Sequence, residues 1–268
     1  MSLLLLLALL GGREGIKIIE DFLPYPPGGP FGLCLTCGHD MAHEMVIHFQ
    51  SVRDAGPGEV RFDAVSHSGE MGAYACTVQA EPRVLNADYA QRFVYTIPLQ
   101  ALTPDSTYYF IAGNEALGFT QERKFRTPPA TCEGVRFVEG GDIGNSPVAA
   151  AMLRLAARQE PHFAVLGGDL AHANGKLYEL DEWDEWFAMW DECMVTPKGY
   201  TIPFITCIGN HETRSGTEGR SAEERAPFFM RFFASSPDHC HASYALGEDI
   251  LFLMLDTGYV SSFDGPQL

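Results

Sequence analysis

The stretch Phe163-Ala-Val-Leu166, continued by Gly167-Gly-Asp169-Leu-Ala-His172, decides how the chain is interpreted. Four consecutive apolar residues followed by glycine are typical of a buried strand in a covered sheet. The carboxylate of Asp169 and the imidazole of His172 follow that strand within a glycine-rich loop. Because open α/β sheets bind their ligands at the carboxyl ends of their strands, this junction predicts a functional site.

Two further junctions between a strand and a loop have the same form. A predicted strand over 135–138 leads to Gly141-Asp142-Ile-Gly144, and one over 203–208 leads to Gly209-Asn210-His211-Glu212. A glycine before each donor permits a sharp exit from the strand. Asp, Asn and His are ligands for Mn, Fe or Zn, and carboxylates can bridge two ions. One such Asp alone is typical of a helix cap, but three junctions in succession predict a metal site.

The pattern around these junctions predicts an α+β chain of two domains. Residues 31–128 contain short strand-favouring runs separated by turns, which predict an all-β sandwich. Thr127-Pro-Pro129 marks the predicted boundary, and residues 129–268 alternate strand and helix, which predicts a largely parallel sheet. The predicted helices and the hairpin of this second part cover 147–159, 177–194, 221–233 and 243–255.

The helix over 177–194 carries a stripe of large aromatic side chains. The stripe is predicted to pack in the core because its residues recur at helical spacing: Trp183, Trp186, Phe187 and Trp190. The acidic residues between them are predicted to form the solvated face of the helix: Glu179, Asp181, Glu182, Asp184 and Glu185.

Composition limits the partners that the chain can bind. The net charge is −17, from 35 acidic and 18 basic residues, which argues against nucleic acid or an anionic membrane as the main partner. A small phosphorylated substrate stays compatible, since bound metal ions can invert the local field.

The first 30 residues combine an apolar start with a lead-in rich in proline and glycine. The block Leu3–Leu10 is too short to span a bilayer and resembles the apolar part of a secretory signal, so the chain is predicted to be secreted. The alternatives are a misassigned start or an apolar arm. Seven scattered cysteines do not form a disulfide framework, although an exported chain could form one or two disulfides.

The three junctions together resemble the first three metal motifs of the calcineurin-like metallophosphoesterases. The motifs are Gly-Asp142-Ile-Gly, Gly-Gly-Asp169 and Gly-Asn210-His211-Glu. This form of the first motif, behind a fibronectin type III-like sandwich, resembles the purple acid phosphatase branch. The sandwich likeness is carried by Leu102-Thr-Pro-Asp-Ser-Thr-Tyr-Tyr109, and Leu255-Asp-Thr-Gly258 and Gly265-Pro-Gln267 also match that branch.

The resemblance implies a role for each motif residue. Asp142 would bind one metal ion, Asp169 would bridge two ions and Asn210 would bind the second. His211 would contact the phosphate or the leaving group. Such a pair of ions, Fe with Zn or Mn, holds the phosphate and lowers the pKa of a bound water that attacks phosphorus. The implied activity is therefore hydrolysis of phosphate monoesters.

Two departures from the family separate this chain from typical purple acid phosphatases. His172 occupies the position of the tyrosine that gives those enzymes their colour, so a ferric-tyrosinate colour is not expected. His172 is then a metal ligand, an acid/base group or a plain loop histidine, and a phosphodiesterase or nuclease is the alternative activity.

The second departure is that the later histidine motifs of the family do not occur before Leu268. His239-Cys240-His241 precedes the hairpin and is predicted to be a loop rather than a substitute for them. The catalytic domain is thus predicted to be incomplete, which implies either a longer reading frame or a fragment with little activity. A non-catalytic binding protein that retains the fold is the remaining alternative.

Overall fold

The computed structural model describes residues 28–262 together with residues 265 and 267. The apolar block Leu3–Leu10, on which the predicted secretory signal rests, lies outside these residues. Within the described part of the chain, no helix is both long and apolar enough to cross a membrane. All seven cysteines are described, and each is a free thiol.

The first part of the chain is built from short strands. Their bounds are β1 Phe31–Cys37, β2 Met45–Ser51, β3 Gly58–Asp63, β4 Cys76–Ala80, β5 Arg83–Asn86, β6 Gln91–Leu99, β7 Thr107–Asn114, β8 Gly118–Phe119 and β9 Arg123–Arg126. Strands β1, β2, β6 and β5 lie in one sheet, and β4, β3, β7 and β8 form a second, with β9 paired to β7. The side chains that these sheets share, such as Phe49, Tyr95 and Phe110, are buried in one core.

The second part alternates strands and helices, as the sequence predicts. Its elements are β10 Phe137–Gly140, α1 Pro147–Ala157, β11 Phe163–Leu166, α2 Leu180–Cys193, β12 Phe204–Thr206, α3 Ala222–Arg225, α4 Pro227–Phe232, β13 Ala242–Leu246 and β14 Ile250–Met254. Strands β10, β11 and β12 are parallel neighbours, and β13 and β14 form an antiparallel pair. The single helix predicted over 221–233 is two short helices, because Ala226 leaves the helical conformation before Pro227 begins the next.

The sheet of the second part continues into the first part. Strand β1 pairs in parallel with β12, with Thr36 opposite Phe204, and the sheet runs in the order β10-β11-β12-β1-β2-β6-β5. The sheet is therefore mixed rather than largely parallel, and the predicted division into two domains near residue 128 is not confirmed. Pairing between such distant strands uses backbone hydrogen bonds, which leave no pattern in the side chains.

Helix α2 covers this junction between the two parts. Trp183, Trp186 and Trp190 are at most 1% exposed, so the aromatic stripe packs in the core as predicted. The prediction was wrong for Asp184, which is also buried and pairs with Arg92 of β6 at 2.6 Å between Oδ2 and Nη2. Helical spacing could not reveal this pair, because its partner lies in a strand far away in the sequence.

Candidate metal centre

The loops that follow β10 and β11 run side by side beyond the ends of their strands. Backbone N–H groups of the first loop donate to carbonyl oxygens of the second: Asp142 to Gly168 (3.2 Å), Ile143 to Asp169 (2.9 Å) and Gly144 to Leu170 (2.8 Å). Backbone hydrogen bonds between the two strands thus continue into the motif loops. They place the backbone of Asp142 next to that of the Asp169 loop, as the sequence predicts for carboxyl ends of neighbouring strands.

Several residues of these loops have left-handed backbone conformations. The φ angles are 52° at Asp142, 54° at Asp169, 61° at His172 and 54° at Asn174. A residue with a Cβ adopts this region at a cost of roughly 1–2 kcal/mol. Residues held in such conformations cluster at functional sites because the surrounding structure must impose them. Four such residues in two adjacent loops therefore indicate a functional site at this edge of the sheet.

Glycines bring the second and third loops into direct contact. A Cβ added to Gly168 would lie 2.5 Å from the backbone nitrogen of Gly209, and one added to Gly209 would overlap the Asp169 carboxylate. The Asp169 Oδ1 atom accepts a hydrogen bond of 2.8 Å from the backbone N–H of His211. The glycine before each donor, noted in the sequence, therefore serves close approach of two loops.

His172 lies between the first loop and the third. Its Nε2 atom is 3.7 Å from Asp142 Oδ1. This nitrogen atom is buried and has no hydrogen-bond partner among the described residues. The His172 ring stacks on the ring of His211, with centroids 4.3 Å apart and planes 20° apart. The structure thus brings His172 next to both a predicted metal ligand and the histidine predicted to face the phosphate.

Asn174 orients His211, a role that the sequence analysis missed. His211 Nδ1 lies 2.7 Å from Asn174 Oδ1, and the Asn174 amide nitrogen donates to the carbonyl of His172 at 2.8 Å. Because an amide oxygen only accepts, Nδ1 of His211 carries a proton and Nε2 is the nitrogen left for a ligand. Asn174 also lines a cavity of about 430 Å³ with Lys176, Tyr178 and Arg214.

Glu212 is the second residue whose role the sequence analysis missed. Its side chain is buried, and the residue is 1% exposed. The carboxylate accepts three backbone hydrogen bonds of 2.8 Å, from Asp169, Leu170 and Gly209. Burial raises the pKa of Glu212, and these three N–H donors oppose that shift. The sequence cannot reveal this role, because nearly every residue has a backbone N–H group and only the fold decides which of them reach Glu212.

The donor set suits the metals predicted from the motifs. Carboxylate, imidazole and amide oxygen atoms of Asp142, Asp169, His172 and Asn210 would be the ligands, and the orphaned Nε2 of His172 lies close to the Asp142 carboxylate. Metal bonds to such atoms are roughly 2.0–2.2 Å long, so two donors 3.7 Å apart can share one ion. Across the described residues, however, no three or more His, Cys, Asp or Glu side chains are grouped so that they could hold a metal ion.

Comparison with known proteins gives distant but consistent relatives. No family model matches the chain. An uncharacterized protein of Mycobacterium tuberculosis is 27% identical over 210 residues, which cover 71% of this chain and 37% of the relative. Purple acid phosphatase 22 of Arabidopsis thaliana is 29% identical over 126 residues, covering 46% of this chain and 26% of the relative. The chain thus spans well under half the length of these relatives.

Solved structures with the same fold cover most of the chain. Purple acid phosphatase PPD1 from seeds of yellow lupin (Lupinus luteus) matches with a TM-score of 0.61 at 17% identity. The match covers 87% of this chain and 46% of the lupin chain. The structure of PhoD has a TM-score of 0.56 at 13% identity and covers 91% of this chain and 55% of its own.

The fold, which carries three donor-bearing loops at the carboxyl ends of β10, β11 and β12, is similar to those of purple acid phosphatase PPD1 and PhoD. Likeness to the lupin structure and to the Arabidopsis enzyme supports a purple acid phosphatase-like metallophosphoesterase. The resemblance predicted from the motifs is confirmed.

Proposed function

We propose that the chain carries the motif loops of a metal-dependent phosphatase that hydrolyses phosphate monoesters of small molecules. The observation that supports this most directly is the convergence of Asp142, Asp169, His172 and His211 from loops that adjoin one another in space. Likeness to purple acid phosphatases agrees with it. Because the chain covers only 37% and 26% of the mycobacterial and Arabidopsis relatives, the activity of the whole protein is itself part of the proposal.

Each side chain has a task in the proposed reaction. Asp142, His172, Asp169 and Asn210 would hold two ions, Fe with Zn or Mn, with Asp169 between them. The ions, when bound, would supply positive charge for the phosphate and an activated water. His211 is fixed through Nδ1 by Asn174, so Nε2 is the nitrogen left to face the substrate. In the imidazolium form, with a proton on both nitrogens, His211 can donate the Nε2 proton to the departing oxygen and become neutral.

The experiment measures metal content and hydrolysis of p-nitrophenyl phosphate with Mn, Fe or Zn present. Asp169→Asn should lower both the metal content and the rate at least tenfold, because it removes charge from the shared ligand. Asp105→Asn is the matched control, since Asp105 is also an aspartate with a left-handed φ of 47° but lies in a turn of the sandwich. Full metal occupancy in Asp169→Asn would show that Asp169 is not the bridge.

A phosphodiesterase is the second candidate, and the stacking of His172 on His211 favours it. Two adjacent imidazoles supply a second group that can contact a larger leaving group. Comparing p-nitrophenyl phosphate with bis(p-nitrophenyl) phosphate separates the two activities. Purified protein that holds no stoichiometric metal and hydrolyses neither ester would instead indicate a binding protein that retains the fold.

A further inference from the structure

We propose that Glu212 is a positioning residue that fastens the Asp169 loop to the Asn210–His211 turn, and that metal binding depends on this fastening. The proposal rests on the metal site of the proposed function. Glu212 itself is buried and points away from solvent, so it would act through the backbone of the ligand loops rather than as a ligand.

The three donors to Glu212 lie in both loops. Oε2 accepts from Asp169 and from Gly209, and Oε1 accepts from Leu170. A single carboxylate therefore joins the loop after β11 to the start of the turn after β12. The N–H groups of Leu170 and Gly209 would otherwise be buried donors in need of a partner, and leaving one unpaired costs about 1–3 kcal/mol.

The same carboxylate supports the conformation of the predicted bridging ligand. Asp169 has a φ of 54°, and its own N–H donates one of the hydrogen bonds that Glu212 accepts. The Asp169 side chain in turn accepts the N–H of His211. The two loops are thus joined by hydrogen bonds in both directions: the Asp169 loop donates to Glu212, and the N–H of His211 donates to Asp169.

Substitution at this position should weaken metal binding more than folding. In Glu212→Gln the amide NH₂ faces a backbone donor, so at least one of the three hydrogen bonds is lost and the loops separate. Residues that orient metal ligands change metal affinity by roughly 10–100-fold when they are replaced. We expect Glu212→Gln to bind Mn²⁺ at least tenfold more weakly than the unaltered chain, as measured by titration calorimetry.

Asp256→Asn is the matched control for loss of a buried carboxylate. Asp256 is 0% exposed and accepts the N–H groups of Gly258, Tyr259 and Val260 within its own loop. We expect it to lower the melting temperature of the metal-free protein as much as Glu212→Gln does, with Mn²⁺ affinity unchanged. Equal losses of Mn²⁺ affinity in the two variants would reduce Glu212 to a structural residue.

Hydrogen exchange of the metal-free protein tests the proposal without any metal. In Glu212→Gln, exchange of the Asp169, Leu170 and Gly209 amides should accelerate at least tenfold, while amides of helix α2 stay protected. Unchanged exchange at these three amides would overturn the proposal. Failure of the unaltered chain to bind Mn²⁺ would instead reject the metal site, and the exchange result would still decide whether Glu212 fastens the loops.

Discussion

His48 shows how burial changes the chemistry of a single residue in the sandwich. Its ring nitrogens have hydroxyl partners, Thr36 Oγ1 at 2.8 Å and Thr96 Oγ1 at 3.3 Å. Burial, together with the nearby positive charge of Arg83, lowers the pKa of His48 to about 3. The folded protein therefore keeps this imidazole neutral at pH values where the unfolded chain binds a proton.

This difference predicts how stability depends on pH. Above the ordinary histidine pKa of about 6.5 the imidazole is neutral in both states and does not affect stability. As the pH falls from there towards 3, only the unfolded chain binds the proton, so the free energy of unfolding falls by about 1.4 kcal/mol per pH unit. We expect His48→Gln to remove this part of the slope from the free energy of unfolding, measured by urea titration at pH 4 to 7. An unchanged slope in His48→Gln would show that other groups account for the pH dependence in this range.

Backbone conformation and side-chain chemistry meet at the residues of the candidate metal centre. Asp142, Asp169 and His172 are left-handed at positions where a glycine would be expected. A side chain with donor atoms at such a position indicates that its chemistry outweighs the conformational cost. Sequence motifs identified these three residues, whereas Asn174 and Glu212 emerged only from their contacts.

At the scale of elements, strand β6 and helix α2 are joined by a buried ion pair. Arg92 and Asp184 are 2% and 5% exposed at their side chains and meet at 2.6 Å. The pair crosses from the strand-rich part to the helix that covers the sheet. Removing one partner of a buried pair leaves the other charge without compensation and costs about 3–5 kcal/mol.

Asp184→Asn should therefore lower the free energy of unfolding by about 3 kcal/mol, measured by urea titration near neutral pH. Glu185→Gln on the same helix is the control, because Glu185 is exposed and a surface change away from the buried pair should stay within about 0.5 kcal/mol. A double variant, Arg92→Leu with Asp184→Leu, should recover most of the loss, because neither charge is then buried. A loss in the double variant as large as in Asp184→Asn would point to packing rather than charge.

At the scale of the whole molecule, a single seven-stranded sheet connects the motif loops to the sandwich. The loops lie at the ends of β10, β11 and β12, and β12 is held by β1. The architecture of the site thus depends on pairing between distant parts of the chain.

Binding of metal to this framework should stabilise the whole fold. A ligand at 100 times its dissociation constant stabilises the native state by about 2.7 kcal/mol, which raises the melting temperature by roughly 5–10 °C for a chain of this size. We expect Mn²⁺ to raise the melting temperature by such an amount and EDTA to reverse it. The rise should vanish in Asp169→Asn and persist in Asp105→Asn; a rise retained in Asp169→Asn would place the metal elsewhere.

The sequence alone determined the strands β10, β11 and β12, the order of the donor motifs and the aromatic core face of α2, because apolar periodicity and glycine placement are local. It did not determine the β1–β12 pairing, the burial of Asp184 against Arg92, or the contacts of Asn174 and Glu212. Those features depend on backbone hydrogen bonds and on side chains far apart in the chain. Only the folded sheet brings them together, and with them the geometry of the candidate site.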